Sequence, residues 1–278
     1  MKDARLLDSS LPPYQLGEGA SWDAETGRLY WVDILGRAVH CYDPETAAYS
    51  SFKTPSDVSF AFASGPDKLL LGMKDGVYRS RRNGDELMPV ALLDLPKDHR
   101  LNDGKIDAAG RLWVGTICTA EKPTETAALY RLNDDHLVEI ERGYVNANGK
   151  DWSPDGTKMY HADTDRHTVW QYDHDPTYGV ISNKRVFLEL RDANPDGLFV
   201  HPDGRVFVAL YGGAAVDIYA TGGAFLDKIA LPVPNVTSCV LGGRDRNMVY
   251  ITTAWDGLDA NQRRKYPHSG QMFAIKIG

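Results

Sequence analysis

Six times along the chain, a short run of alternating side chains follows a tight-turn signal. The runs are RLYWVDI from Arg28, KLLLGMK from Lys68, RLWVGTI from Arg111, KMYHADT from Lys158, RVFVALY from Arg205 and NMVYITT from Asn247. The turns ahead of them read DAETG, SGPD, DAAG, SPDG, HPDG and GRDR, rich in residues that accept tight-turn geometry. Alternation in segments rich in Val, Leu, Tyr and Trp predicts strands. A further strand is expected after each run (AVHCYD, GVYRSR, ALYRLN, TVWQYD, AVDIYA, QMFAIK). Another is expected before each turn (GASWD, SFAFAS, GKIDA, GKDWS, GLFVH, CVLGG). Each unit thus offers three clear strands and room for a fourth. The units recur every roughly 40–50 residues, the range of propeller blades.

Helical periodicity is nearly absent; AWDGLDANQRRKY could supply one turn or a loop. Without βα alternation, a Rossmann fold or a TIM barrel is disfavoured. Six stacked units could form a solenoid or a ring, and a ring leaves only short, protected edges. The expected fold is therefore all-β, a six-bladed β-propeller over residues 1–278, as one domain without a linker. The N-terminal ARLLDSS is expected to add an outer strand to the last blade, near QMFAIKIG, and so close the circle.

Composition narrows the partners. Of 278 residues 42% are apolar, enough for a sizeable core, and the formal charge of −7 weighs against nucleic acid or an anionic membrane surface. Cys41, Cys118 and Cys239 are odd in number and far apart, with no CxxC spacing, which disfavours a zinc or redox motif and suits a reduced, cytoplasmic setting. The start, MKDARLLDSSLPP, lacks the apolar stretch of a secretory signal, and no apolar run is long enough to span a membrane. Oligomeric state is not legible in the sequence.

Aligning the units on their turns places a recurring polar residue plus Gly at the heads of the inner strands. Blade I gives Glu18, blade III Asn102 and Asp103, blade IV Asn148 and blade V Asp196. Blades II and VI give SDVSF and NVTSC, with no acid at that place. Gly permits an unusual backbone at a crowded channel mouth. Carboxylates converging in a low-dielectric channel repel, and a bound hard cation such as calcium, magnesium or manganese relieves the repulsion. Asp-Gly and Asn-Gly are also common turn dipeptides; four in one register argue for a site. Asp155 and Asp203, at the other end of the inner strands, are assigned to turns.

The segments GEGASWDAETGRLYWVDI, RLNDGKIDAAGRLWVGT, NGKDWSPDGTKMYHADT and PDGLFVHPDG together resemble the signature segments of the SMP-30/gluconolactonase/LRE (regucalcin-like) family. That resemblance implies a six-bladed propeller with one divalent metal ion in the channel, held by Glu18, Asn148 and Asp196, with Arg100 and Asn102 contacting the substrate. In related phosphotriesterase propellers the matching Asn also reaches the metal, so Asn102 has two candidate roles. The resemblance favours Asn102 over Asp103 as the ring residue. It implies hydrolysis of a sugar lactone to the aldonic acid, a small-molecule reaction in which the metal polarises the carbonyl and Asp196 assists water attack. Water activated by the cation is the rival mechanism. The ion could be calcium, zinc, magnesium, manganese or ferrous iron. Two other readings are an esterase or phosphotriesterase on the same site, and a non-catalytic calcium-binding propeller.

There are departures from the family pattern. Ala20 replaces the usual Pro, and Tyr211 stands where a Trp is common, either to touch substrate or to pack. Lys150 replaces an apolar residue and is expected to point outward into solvent, the alternative being a pairing beneath the site with Asp151 or another acid. His99 is expected to be structural or exposed, with lining of the mouth as the alternative, and His161 and Asp163 are expected to pack. No GxSxG elbow supports a serine hydrolase. Cys118 is expected to be buried with no evident His partner.

Overall fold

Each turn-and-run unit becomes one antiparallel sheet. The computed structural model describes residues 2–277. In blade I the strands Gly17–Asp23, Arg28–Asp33, Ala38–Asp43 and Ala48–Lys53 pair in chain order, from the channel outward. The other blades repeat this order with inner strands Val58–Ala63, His99–Ile106, Ala147–Trp152, Asn194–Val200 and Val236–Gly242. Each inner strand packs beside the next, and the inner strand of blade VI packs beside that of blade I. The stack is thus a closed six-bladed ring, not a solenoid.

The join uses the first residues. Arg5–Leu6 lies antiparallel to Phe273–Lys276, with Arg5 opposite Ala274 and Leu6 opposite Phe273, as the outer strand of blade VI. Lys2–Asp3 adds a fifth strand, parallel to Phe225–Ala230, on blade V. The sequence carries no signal for the second of these pairings. The stretch AWDGLDANQRRKY holds a helix over Ala260–Lys265, started by Asp259, whose carboxylate accepts from the Asn261 and Gln262 amides in a capping box.

Both faces of a blade are buried, so alternation here sorts side chains between two neighbours rather than between core and water. Leu29 and Trp31 pack with Tyr250 toward blade VI, while Tyr30 and Val32 pack with Val58 and Leu69 toward blade II. Between blades III and IV, Trp113, Tyr144, Trp152, Met159 and Tyr172 form another such layer. Burial of one large apolar side chain of this kind stabilises by about 1.5–3 kcal/mol. The layers fix the spacing of the inner strands, and so the width of the channel.

Candidate active site

Every inner strand slips register once against its neighbour, near its head. The slips fall between Glu18 and Ser21, Val58 and Phe60, Leu101 and Gly104, Ala147 and Lys150, Pro195 and Leu198, and Val236 and Ser238. An extra residue in one strand frees a position from the ladder and re-aims its side chain. Ser59, Asn102, Asn148, Asp196 and Thr237 fall within these gaps, Glu18 is the last paired residue before its own, and all six are buried. Ser59 and Thr237 complete the series but are spent on the scaffold. Ser59 Oγ donates to Gly72 O, and Thr237 Oγ1 donates to Gly17 O. Short hydroxyl residues gave no sequence signal of this equivalence.

Glu18, Asn148 and Asp196 meet. Asn148 Nδ2 donates to Asp196 Oδ1 and, at 2.8 Å, to Thr164 Oγ1. The Glu18 and Asp196 carboxyls lie near enough to act on each other's proton, and Glu18 Oε2 accepts from the Gly19 amide at 3.0 Å. Burial, then Asp103, pushes the Glu18 carboxyl above the ordinary range. Burial, then Glu18, then Asp103, does the same to Asp196. Asn148 Oδ1 accepts no hydrogen bond among the described residues. Two neighbouring buried carboxyls, each holding its proton above the ordinary range, and a spare amide oxygen fit a hard dication in donor type and in charge.

Arg100 and Asn102 sit beside this trio as a linked pair. Arg100 Nη1 donates to Leu101 O at 2.9 Å and to Asn102 Oδ1 at 2.8 Å. Asn102 Nδ2 donates to Asn146 Oδ1 at 2.7 Å, and the Asn146 amide donates to Asp163 Oδ1 at 3.1 Å. Asn146 is a positioning group that the sequence reading missed, since a lone Asn in a strand connection carries no distinctive pattern. Tyr211 Oη donates to Asp256 O, which also accepts from Asn235 Nδ2, so that Tyr211 braces the loop that follows blade VI's second strand.

Several expectations need correction. Asn102 and Asp103 both belong to the bulge, so both reach the channel. Asn102 takes the ring position, and Asp103 lies beside Lys150. Lys150, expected in solvent, is fully buried, and its Nζ donates to Asp103 O at 2.7 Å and Asp103 Oδ2 at 3.0 Å. The extra residue before it reverses the direction its side chain would otherwise take. Asp151 instead faces Lys105 at 3.2 Å. The glycines after the ring residues mostly serve close approach, not an unusual backbone. Of Gly19, Gly104, Gly149 and Gly197, Gly19 alone has positive φ, at 59°.

Cys118 is buried as expected, but it does have a histidine neighbour. It pairs with His99 in the ladder, and Asp98, His99 and Cys118 bring one ligand-type atom each within 4.8 Å of one another. Both His99 ring nitrogens already have partners, Asp98 Oδ1 and Thr126 Oγ1, and Asp98 is exposed. That cluster is therefore a weaker cation site than the buried oxygens of the channel. His161 is fully buried, with Nδ1 against Gly149 O, and Asp163 accepts the Asn146 amide; both act as packing groups. Asp155 and Asp203 cap their turns, accepting from the Thr157 and Arg205 amides.

The raised carboxyls predict a pH signature. A group that holds its proton more tightly folded than unfolded stabilises the fold at low pH, and that contribution is lost as pH rises through the ordinary carboxylate range toward the raised native value. A dication bound by Glu18 and Asp196 must displace that proton. Calorimetric titration with calcium is expected to show proton release near neutrality, read as a heat that changes with the ionisation enthalpy of the buffer. Equal heats in two such buffers would mean that both carboxyls are already ionised.

Residues 16–255 match the family described as SMP-30/Gluconolactonase/LRE-like region. A protein of Bacillus subtilis strain 168, provisionally named sugar lactone lactonase YvrE, is 38% identical over 267 residues, 94% of this chain and 91% of its own. Pentonolactonase XacC of Haloferax volcanii is 33% identical over 259 residues, 91% of this chain and 86% of its own. Among solved structures, a calcium-binding protein, regucalcin, from Agrobacterium tumefaciens superposes with a TM-score of 0.93 at 26% identity, covering 99% of this chain and 94% of that one.

Proposed function

The chain belongs to the SMP-30/gluconolactonase/LRE-like family, and from that premise we propose that it is a lactonase that opens a sugar lactone to the aldonic acid, using one divalent cation held by Glu18, Asn148 and Asp196. The observation that carries this reading is the meeting of those three side chains, from blades I, IV and V, beside Arg100 and Asn102. Relatives named as sugar lactone lactonase and pentonolactonase support the reaction class.

When bound, the cation would polarise the lactone carbonyl and lower the pKa of water, effects worth several kcal/mol. The chain's own groups supply the rest. Asp196 takes the proton of the attacking water, and Asn148, bonded to Oδ1, orients that carboxylate. The water oxygen bonds to the carbonyl carbon, the ring C–O bond breaks, and the released ring oxygen takes the proton from Asp196 to become a hydroxyl. Arg100 uses one nitrogen, Nη1, within the protein, so the rest of its guanidinium can hold sugar hydroxyls. Asn102, fixed by Asn146, orients Arg100 and so the sugar ring. A lactone is an activated ester, so a carboxylate weakened as a base by a nearby dication suffices.

The test uses chelator-stripped protein reloaded with calcium, zinc, magnesium, manganese or ferrous iron singly. Each form is assayed for acid release on five- and six-carbon aldonolactones, with spontaneous opening subtracted. Turnover that returns only with an ion is the expected result. Turnover of phosphotriesters alone would replace the substrate assignment, and ion binding without any turnover would overturn the enzymatic reading.

A further inference from the structure

At the rim of the channel, blade III carries donors of a kind the ring lacks. His99 opens its inner strand, Cys118 ends the strand beside it, and the two stand opposite each other in the ladder. With Asp98 they bring a carboxylate oxygen, an imidazole nitrogen and a sulfur within 4.8 Å of one another, the one such group among the described residues. For a hard ion the oxygens of the channel are the better site. A thiolate, an imidazole and a carboxylate are instead a donor set that suits zinc. The backbone already holds them in place. The Thr119 amide and Thr119 Oγ1 both donate to Asp98 O, at 2.7 and 2.8 Å, and the His99 amide donates to Pro96 O at 2.8 Å. His99 and Cys118 are buried, and Asp98 opens the cluster to solvent.

We propose that Asp98, His99 and Cys118 form a zinc site at this rim, with water as the fourth ligand, separate from the dication of the channel. His99 Nδ1 faces Asp98 Oδ1 at 2.9 Å, so this nitrogen shares the ion with that carboxylate. Nε2 lies 2.8 Å from Thr126 Oγ1, the hydroxyl that accepts its proton and fixes the ring, which is the usual role of a partner to a metal-bound imidazole. Thr126 Oγ1 is in turn 3.0 Å from Thr124 Oγ1, which lies 3.9 Å from Cys118 Sγ. Ligands of one tetrahedral zinc ion stand about 3.3–3.7 Å apart, so side-chain shifts of about 1 Å close the site. The Cys118 thiol loses its proton to solvent as the sulfur binds. Cys118 stands at the start of the connection 119–126, and Thr126 at its end. The ion therefore clasps both ends of that connection, next to Arg100. Its role is structural, and it touches no substrate.

Cobalt(II) is the probe, because a thiolate bound to it gives a charge-transfer absorption in the near ultraviolet that oxygen ligands alone do not give. Chelator-stripped protein, supplied with excess calcium and kept free of oxygen, is titrated with cobalt(II) and then with zinc. The wild type is expected to show the band, saturating at one cobalt per chain, and to lose it as zinc takes the site. Cys118→Ser should abolish the band, while Cys41→Ser should keep it. Asp98→Asn, a change at an exposed side chain, should weaken cobalt binding by about tenfold or more. Should Cys118→Ser fail to fold, Asp98→Asn decides. A wild type without the band overturns the proposal, as does a band that persists in Cys118→Ser or wild-type affinity in Asp98→Asn. Lactone turnover by calcium-loaded protein is read separately: its absence would overturn the proposed function, while the band alone decides the rim site.

Discussion

Asp196→Asn is expected to lower kcat for lactone opening by about 10²–10⁴-fold, the span of a lost general base. The loss should persist at saturating dication. The amide keeps an oxygen for the ion and keeps the side chain's shape, but it cannot take a proton from water. Cation affinity should also fall, because one of the two buried charges facing the ion has gone. Measuring kcat across a series of ion concentrations separates the two effects. Recovery to within a few-fold of wild type at saturating ion would show that Asp196 serves as a ligand only, with the proton going elsewhere.

Gly149→Ala is expected to be the most damaging small substitution in the channel. A Cβ at this position would lie 2.6 Å from Leu198 N and 2.8 Å from Gly197 Cα, and closer still to Asp196 O. All three obstacles are backbone atoms of the next blade, so no rotamer change relieves them. Overpacking of this kind costs about 1–3 kcal/mol, sometimes more. The strain acts between Asn148 and Asp196, the two ring residues that flank the contact. A displacement near 1 Å there costs on the order of 10²-fold in rate. Denaturant midpoint and kcat should therefore fall together. Wild-type values for both would mean that the blades can part at this point without disturbing the trio.

The fold was legible because six turns recur with strand-forming runs behind them, and the ring residues were legible because Glu18, Asn148 and Asp196 each stand before a Gly at the same place in the repeat. What escaped the sequence reading came mostly from one cause. The bulge at the head of each inner strand adds a residue, and simple alternation fails beyond it. That is why Asp103 competed with Asn102 for the ring, and why Lys150 was expected in water when it is fully buried. The sequence suggests an unusual backbone at these glycines, whereas Gly149 and Gly197 are needed for contact between blades, a property of two strands far apart in sequence. The His99–Cys118 pairing escaped for the same reason, since only the ladder brings the two together.

One short segment near the start stitches two neighbouring sheets, with Lys2–Asp3 on blade V and Arg5–Leu6 on blade VI. The last join in the circle is therefore made between stretches at opposite ends of the polypeptide, Arg5 and Ala274. Pairings of such sequence separation form slowly, because a very long loop must close before they contribute. Glu18 belongs to blade I on one side of this seam, Asp196 to blade V, which the segment itself joins, and Asn148 to blade IV beyond it. The meeting of Glu18, Asn148 and Asp196 is therefore expected to come late in folding, and its integrity to report on the closed ring rather than on any single sheet.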